Sequence, residues 1–244
     1  SGTITKDGTG KLVLNADNGT SYTGATTISS GLVNLMNNNS LGSTSAATSV
    51  TSGATVQIVS ATTLTIPEPI TINGTGIATN QGAIRNPSGI NKWTGAITLG
   101  SASTIVSGTL SGTTTDSLLV ETGGINLATY VLTTDVVKGM RIDGVISGTG
   151  GLTKISNDTL ILGGANSYSG STILTNGIIQ LQNQDGLGST NPGVSSTAAS
   201  NTTVASGTFI KIIGSNFVTP ETLVLSGTGI ANRGVVINMG GKNT

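Results

Sequence analysis

A segment of this chain occurs twice, and that repeat limits the possible folds more than any other feature. Residues 21–44, SYTGATTISSGLVNLMNNNSLGST, return at residues 167–190 as SYSGSTILTNGIIQLQNQDGLGST. Without a gap, 11 of 24 positions are identical, and most others exchange like for like. The match extends upstream, where Lys6 pairs with Lys154. The offset between matching residues drifts only from 148 to 146 to 153, and self-similarity at such a long, nearly constant spacing favours a repeat architecture, in which each unit stacks on its neighbour.

The same match divides the chain into two units. Residues 82–92 pair with residues 234–244, which stop one position before the equivalent of Trp93. We therefore expect a near-complete first unit at residues 1–146 and a truncated second unit at residues 147–244 that continues the same structure. We also expect the chain to be an excerpt of a longer tandem array.

Short runs of alternating apolar and polar residues fill both units, for example at residues 31–35 and 54–58. A period of two indicates strands with one face turned inward. Charged residues make up only 8% of the chain, and ten acids balance ten bases. Disordered chains combine high net charge with few β-branched residues, whereas Val, Ile and Thr are dense here. The composition therefore indicates an all-β protein.

Short strands at this spacing could form a sandwich, a barrel or a solenoid. Aromatic residues are only 2% of the chain, too few for the large inward side chains of a sandwich, whereas stacked Leu, Ile and Val can close a thin coil. We predict a solenoid of parallel strands with coils of about 20 to 25 residues. Roughly ten coils spaced by about 4.8 Å would make a body near 50 Å long.

The alternation also predicts which side chains point into the coils. Glycine at matched corners supplies a positive φ, and asparagine there can form amide ladders between coils. The inward positions form five matched pairs: Leu12 with Leu160, Leu14 with Leu162, Ile28 with Leu174, Leu32 with Ile178, and Leu35 with Leu181.

Several classes of function are disfavoured. Zero net charge with scattered bases gives no footprint for nucleic acid or for an anionic membrane surface. No run approaches 18 apolar residues, so we expect this segment to make no membrane contact. The absence of His and Cys removes the usual general base, the common nucleophile pairs and the ordinary zinc ligands.

The acids also give no clear catalytic pair, because no two lie within four residues of each other and glycoside hydrolysis needs two close carboxylates. We expect each to mark a corner or a solvated loop, and we predict no catalytic residue, no cofactor and no metal site. The acids are Asp7, Asp17, Glu68, Asp116, Glu121, Asp135, Asp143, Asp158, Asp185 and Glu221.

Two matched pairs of residues have both a functional and a structural interpretation. Glu68 and Glu221 each follow Pro before an apolar strand, and we favour solvated turn residues over repeated ligand carboxylates. Tyr22 and Tyr168 could form a repeated carbohydrate platform. We instead expect each ring to pack over the edge of a coil and each hydroxyl to stay in water.

Residues 151–187, GLTKISNDTLILGGANSYSGSTILTNGIIQLQNQDGL, and residues 8–41 resemble the autotransporter-associated β-strand repeat. The chain departs from that motif at residues 155–158, which replace a Gly-rich step, and at residues 15–20, which lengthen a turn. The resemblance implies a right-handed parallel β-helix in the secreted passenger of an outer-membrane autotransporter or a related giant surface protein. The motif is architectural, so no catalytic residue is carried over. The matching elements are Leu-Thr-Lys at 152–154, Thr-Leu at 159–160, Leu162, Gly-Ala-Asn at 164–166, Tyr168, Gly-Ser-Thr at 170–172, Gly177 and Leu-Gly at 187–188.

The expected function is a non-enzymatic, extracellular or cell-surface stalk or filament segment whose loops carry any adhesion. The expected partners are further repeats or neighbouring copies stacked end to end, and surface glycans or other cells at the loops. A glycan-binding adhesin module stays open as an alternative, and so does a polysaccharide-degrading enzyme. An ice-binding array is disfavoured, because Thr63-Leu64-Thr65 is followed by Thr71-Ile72-Asn73 rather than by a second Thr-x-Thr.

Overall fold

The computed structural model describes residues 2–78, 81–109, 117–188, 201–215, 217 and 222–243. Over these residues the chain consists of 24 short strands and one 3-10 turn at Ile230–Asn232. The strands are β1 (Ile4–Lys6), β2 (Lys11–Leu14), β3 (Thr26–Ile28), β4 (Gly31–Leu35), β5 (Thr48–Val50), β6 (Ala54–Ile58), β7 (Thr65–Ile66), β8 (Ile70–Gly74), β9 (Ile84–Asn86), β10 (Ile90–Trp93), β11 (Ile97–Ser107), β12 (Ser117–Val120), β13 (Ile125–Asn126), β14 (Leu132–Val136), β15 (Met140–Ile142), β16 (Ile146–Ser147), β17 (Leu152–Ile155), β18 (Thr159–Leu162), β19 (Thr172–Leu174), β20 (Ile178–Leu181), β21 (Asn201–Val204), β22 (Phe209–Ile212), β23 (Thr222–Leu225) and β24 (Val236–Asn238).

These strands form a parallel β-helix with three faces, so the predicted fold class is confirmed. The chain visits the faces in the order first, second, third, and each strand pairs in parallel with the strand one coil away. Strand β11 turns a corner: its Ile97 pairs with Ile70 on the first face, and its Ile105 pairs with Ile84 on the second. The first face holds β1, β3, β5, β8, the start of β11, β13 and β16; the second holds β2, β4, β6, β9, the end of β11, β14, β17, β19, β21 and β23; the third holds β7, β10, β12, β15, β18, β20, β22 and β24.

The number of coils agrees with the prediction, but their length varies more than expected. The second face carries ten strands, one for each coil of the described chain. Ile105 pairs with Ile84, 21 residues before it, and with Thr134, 29 residues after it. The predicted upper limit of about 25 residues was therefore wrong for the longer coils, because the parallel ladder fixes only the strands and leaves the corners free to lengthen.

The two sequence units do not occupy the same faces. Strands β1, β3, β5 and β8 lie on the first face, whereas their sequence equivalents β17, β19, β21 and β23 lie on the second. From β1 the chain makes six coils before it reaches β16, also on the first face, and β17 then starts the second unit one face further on. One unit therefore extends over six complete coils plus one additional face. The next unit starts one face later, so successive units are rotated by one face about the solenoid axis.

Stacked aliphatic side chains fill the interior, and most predicted inward residues are there. Ile28, Leu35, Leu160, Leu162, Leu174 and Leu181 are buried, while Leu12 and Leu14 in the first coil are half-buried and pack on the core. The prediction was wrong for one pair: Leu32 and Ile178 are only half-buried, and the adjacent Val33 and Ile179 are inward instead. Side chains alternate along a strand, so Leu32 and Leu35, three positions apart, cannot share a face.

Asparagine pairs stabilise equivalent corners of the two units. Asn91 Nδ2 donates to Asn86 Oδ1 at 2.8 Å, and Asn243 Nδ2 donates to Asn238 Oδ1 at 2.7 Å. Asn86 also donates to the carbonyl of Ser117 one coil away, at 2.9 Å. These amide-to-amide bonds lie within one corner rather than between coils, and the bond between coils runs from an amide to a backbone carbonyl, so the expected ladder of amides between coils does not form at these corners.

Candidate functional site

The structure places the predicted acids in several different environments. Asp116 and Glu221 lie outside the described residues, and most of the others are exposed or half-buried. Glu68 and Asp135 are buried, against the expectation of corners and solvated loops. Among the described residues, no three side chains of His, Cys, Asp or Glu come together in a group that could hold a metal ion.

Glu68 was predicted as a solvated turn residue, and that prediction was wrong. Its side chain is only 3% exposed and points into the coil, where its Oε1 accepts a hydrogen bond from Thr48 Oγ1 at 2.8 Å. Its Oε2 is buried without a hydrogen-bond partner, and its carbonyl oxygen accepts from Trp93 Nε1 at 3.0 Å. The alternation of buried and outward side chains in strand β8 continues into the residues before it. Ile66, Glu68 and Ile70 are all buried, and Pro67 and Pro69 stand between them. Burial raises the pKa of this carboxyl to about 7, an effect that the hydrogen bond from Thr48 partly offsets.

This raised pKa predicts a stability that depends on pH. Between about pH 4.5 and 7 the folded chain keeps a proton on Glu68 that the unfolded chain has lost, so the free energy of unfolding should fall as the pH rises. Above pH 7 the full penalty of the buried carboxylate applies. Glu68→Gln removes it, so urea unfolding at pH 8 should find the variant more stable than the wild type by about 3 kcal/mol. At pH 4 the two proteins should differ little.

The matched control for this experiment is Glu121→Gln. Glu121 is half-exposed and pairs with Lys92 at 2.8 Å, so its loss should change stability by about 1 kcal/mol or less. A wild-type protein whose stability does not fall between pH 4.5 and 7 would contradict the burial of a titrating Glu68.

Lys154 is a second buried charged group, which sequence reasoning missed. The side chain is 0% exposed, and its Nζ donates to the carbonyl oxygens of Ile155 at 3.0 Å, Ser156 at 2.5 Å and Asn176 at 3.0 Å. An ammonium group has three N–H donors, so these three acceptors satisfy it completely. Burial lowers the pKa of Lys154 to about 8, and the nearby carboxylates of Asp158 and Asp135 act in the opposite direction.

Lys6 makes the same arrangement in the first unit, with carbonyl acceptors on Asp7 at 3.0 Å, Gly8 at 2.7 Å and Ser30 at 2.9 Å. We call each set of one ammonium and three carbonyls a lysine clasp. Gly31 directly follows the acceptor Ser30 and has a φ of 76°. A Cβ added at Gly31 would lie 2.5 Å from the Gly8 carbonyl oxygen, so this position of the clasp requires glycine. The sequence offered one signal for these clasps: a lysine stands at the same position of both units, Lys6 and Lys154, in a chain with few charged residues.

The two tyrosines are structural, as expected, but their hydroxyls are not left to water. Tyr168 is fully buried, and its hydroxyl lies 2.6 Å from Thr172 Oγ1. The Tyr22 hydroxyl donates to the carbonyl of Ala25 at 2.6 Å and accepts from the backbone N–H of Ile4 at 2.8 Å. Each tyrosine therefore anchors the strand that follows it, and the buried ring of Tyr168 is covered, whereas Tyr22 is half-buried.

The first face carries a column of short polar side chains that the sequence pattern did not reveal. One such residue per coil points outward, and the seven stand in register along the axis. A Thr-x-Thr pattern within a single strand cannot show this column, because each coil contributes only one member. The column is Thr5, Thr27, Ser49, Thr71, Thr98, Asn126 and Ser147.

A hollow of about 590 Å³ lies on the outer side of the third face, in the second unit, and we call it the Phe209 groove. Two columns form its floor, because Ile178 pairs with Phe209 and Lys211 pairs with Ile237 on adjacent coils. Thr159, Arg233 and Met239 complete its lining. Smaller hollows of about 330 Å³ and 300 Å³ lie beside Phe217 and along the first face.

The corresponding surface of the first unit is closed. Thr55 stands at the position of Phe209 and is fully buried, since its Oγ1 donates to the Gly82 carbonyl at 2.8 Å and accepts from Ile77 N at 3.0 Å. These bonds hold Ile77 and Gly82, on the two sides of the following turn, against the strand. Arg85, at the position of Ile237, donates to Gln57 at 3.3 Å and to the side chain of Gln81. Phenylalanine cannot make the threonine's hydrogen bonds, so the second unit leaves this surface open.

The fold, the long repeat and the architectural clasps define a tandem-repeat parallel β-helix of the solenoid class. The passenger-associated-transport-repeat family matches residues 4–35 and residues 152–181, so each unit contains one segment that matches this autotransporter passenger repeat. The two matching segments span β1 to β4 and β17 to β20, which are equivalent strands and include one lysine clasp each. The match implies an extracellular or surface-exposed segment.

The other comparisons add no relatives. Neither the curated proteins nor the solved structures include a significant match to this chain. Across the described residues, no helix is long and apolar enough to cross a membrane.

Proposed function

We propose that this chain is a rigid, non-catalytic spacer in a surface protein, and that its outward faces and loops carry the adhesion. The observation that supports the proposal best is the rotation of the units. The first unit ends after six coils and one face, and the parallel pairing continues from it into the second unit without a break. Units of this kind can be added to set length, and equivalent loops then point in three directions around the axis. A passenger repeat family supports the same interpretation.

We further propose that the end coils stack on further copies of the unit, either in the same chain or in a neighbouring molecule. In the first unit, Ile72 and Ile84 are fully buried, and Leu99 and Ile105 of strand β11 pair with them from the next coil. Leu225, the equivalent of Ile72 in the last described coil, is 47% exposed. Unpaired strand edges with exposed apolar side chains favour the addition of another coil.

Lengthening the chain by one unit tests the spacer. Duplicating residues 7–154 inserts six coils and one face, so small-angle scattering should show a maximum dimension greater by about 30 Å and an unchanged cross-section. The matched control duplicates residues 126–146, which form one coil because Ile125 pairs with Ile146, and it should add about 5 Å. A thicker particle of unchanged length would mean that units pack side by side, and the spacer proposal would then be wrong.

A further inference from the structure

We propose that the Phe209 groove binds an acidic polysaccharide, with carboxylates held by Lys211 and Arg233 and sugar rings packed on Phe209. The inference rests on the proposed function, in which the outward faces carry the adhesion, and it names the class of ligand that one of these faces binds. It concerns a surface that the first unit does not share.

The first argument is the charge of the groove. The ion pairs formed among the described residues join Lys92 to Glu121 and Arg141 to Asp143, so neither Lys211 nor Arg233 has a carboxylate partner there. Arg233 is exposed and Lys211 is half-buried, so both can reach a ligand. A guanidinium matches a carboxylate with two parallel hydrogen bonds, and an ammonium adds a point charge. The groove therefore favours an anion.

Asp158 is the described acid that adjoins the groove lining in the sequence. Asp158 precedes Thr159 of the groove lining, and its Oδ1 accepts the Thr159 backbone N–H at 2.7 Å. Its charge also acts on the ammonium of Lys154 inside the coil. The Asp158 carboxylate is directed to these two partners, and the charged residues of the groove lining itself are the cations Lys211 and Arg233.

The second argument is the apolar floor. Phe209, Ile178 and Ile237 are half-buried, and Met239 is 64% exposed. A small inorganic anion would leave this surface in water, whereas a ligand with both carboxylates and apolar faces would cover it. Pyranose rings have C–H faces that pack on aromatic rings, and a uronic acid adds a carboxylate to each ring. That combination is the chemistry that the groove fits.

The third argument is the direction of the groove. Ile178 and Phe209 follow one another along the solenoid axis, and Lys211 and Ile237 do the same in the next column. Successive coils are about 4.8 Å apart, so the floor extends along the axis as an open track. An extended chain of sugars can follow it over more than one ring. The exposed site of an extracellular passenger is accessible to such a polymer.

The experiment uses the full 244-residue chain and polygalacturonate as the probe, with uncharged dextran as the neutral polysaccharide. The double variant Lys211→Gln with Arg233→Gln introduces the residues of the first unit, Gln57 and Gln81, at the same positions. Calorimetry should show binding of polygalacturonate that weakens with salt, little binding of dextran, and a loss of about tenfold or more in the double variant. Phe209→Thr should also weaken binding, because it removes the apolar floor.

Lys92→Gln is the control, since Lys92 lies on the same face but is paired with Glu121. It should leave the affinity unchanged, and urea unfolding should show that every variant is folded. Equal losses in the control and the double variant would mean nonspecific attraction and would overturn the proposal. So would tighter binding of oligoglutamate or of anionic phosphatidylglycerol vesicles, or no binding of polygalacturonate at all. None of these outcomes changes the length measured by scattering, so the spacer proposal is tested separately.

Discussion

Replacing Leu181 by aspartate should lower the free energy of unfolding by at least about 4 kcal/mol. Leu181 is 1% exposed and lies between Leu162 and Ile212 of the adjacent coils. The change deletes a buried aliphatic side chain and adds a carboxylate that cannot be hydrated. Its equivalent in the first unit, Leu35, is 0% exposed and should behave in the same way. Urea unfolding followed by circular dichroism measures both.

The residues three positions earlier provide matched controls. Ile178 and Leu32 are half-buried on the outer side of the same strands, so aspartate there should cost only about 1 kcal/mol. If aspartate at position 181 prevents folding, Leu181→Ala should still fold and cost about 2 to 5 kcal/mol. Equal effects at the inner and outer positions would show that the strand register is wrong.

The architecture could be predicted because the repeat and the alternation act together along the whole chain. A match such as that between residues 21–44 and residues 167–190 requires two copies of one local structure, and a period of two requires strands. The rotation by one face could not be predicted in this way. It depends on how many residues each corner absorbs, and corner length in a parallel ladder leaves no periodic signal.

The errors at charged residues have a common cause, because these residues stand where their type is unusual. Glu68 continues the inward alternation of Ile66 and Ile70, but a carboxylate is normally excluded from a core, so composition favoured the turn. Lys154 follows the same pattern, and only its three carbonyl partners make its burial possible. The Phe209 groove arises from a difference between the units, whereas the repeat directs attention to what the units share.

Replacing Lys154 by methionine should lower the free energy of unfolding by about 3 kcal/mol, since three part-buried carbonyls would lose their donor at about 1 kcal/mol each. Methionine keeps most of the side-chain volume, so the effect reports the clasp rather than a cavity. The matched variant is Lys6→Met, whose clasp lies in the half-buried first coil, where water can replace the ammonium; about 1 kcal/mol is expected there. Chemical denaturation of both variants at pH 7 measures the difference. A Lys154→Met protein as stable as the wild type would show that the carbonyls find other partners and that the clasp does not hold the coils together.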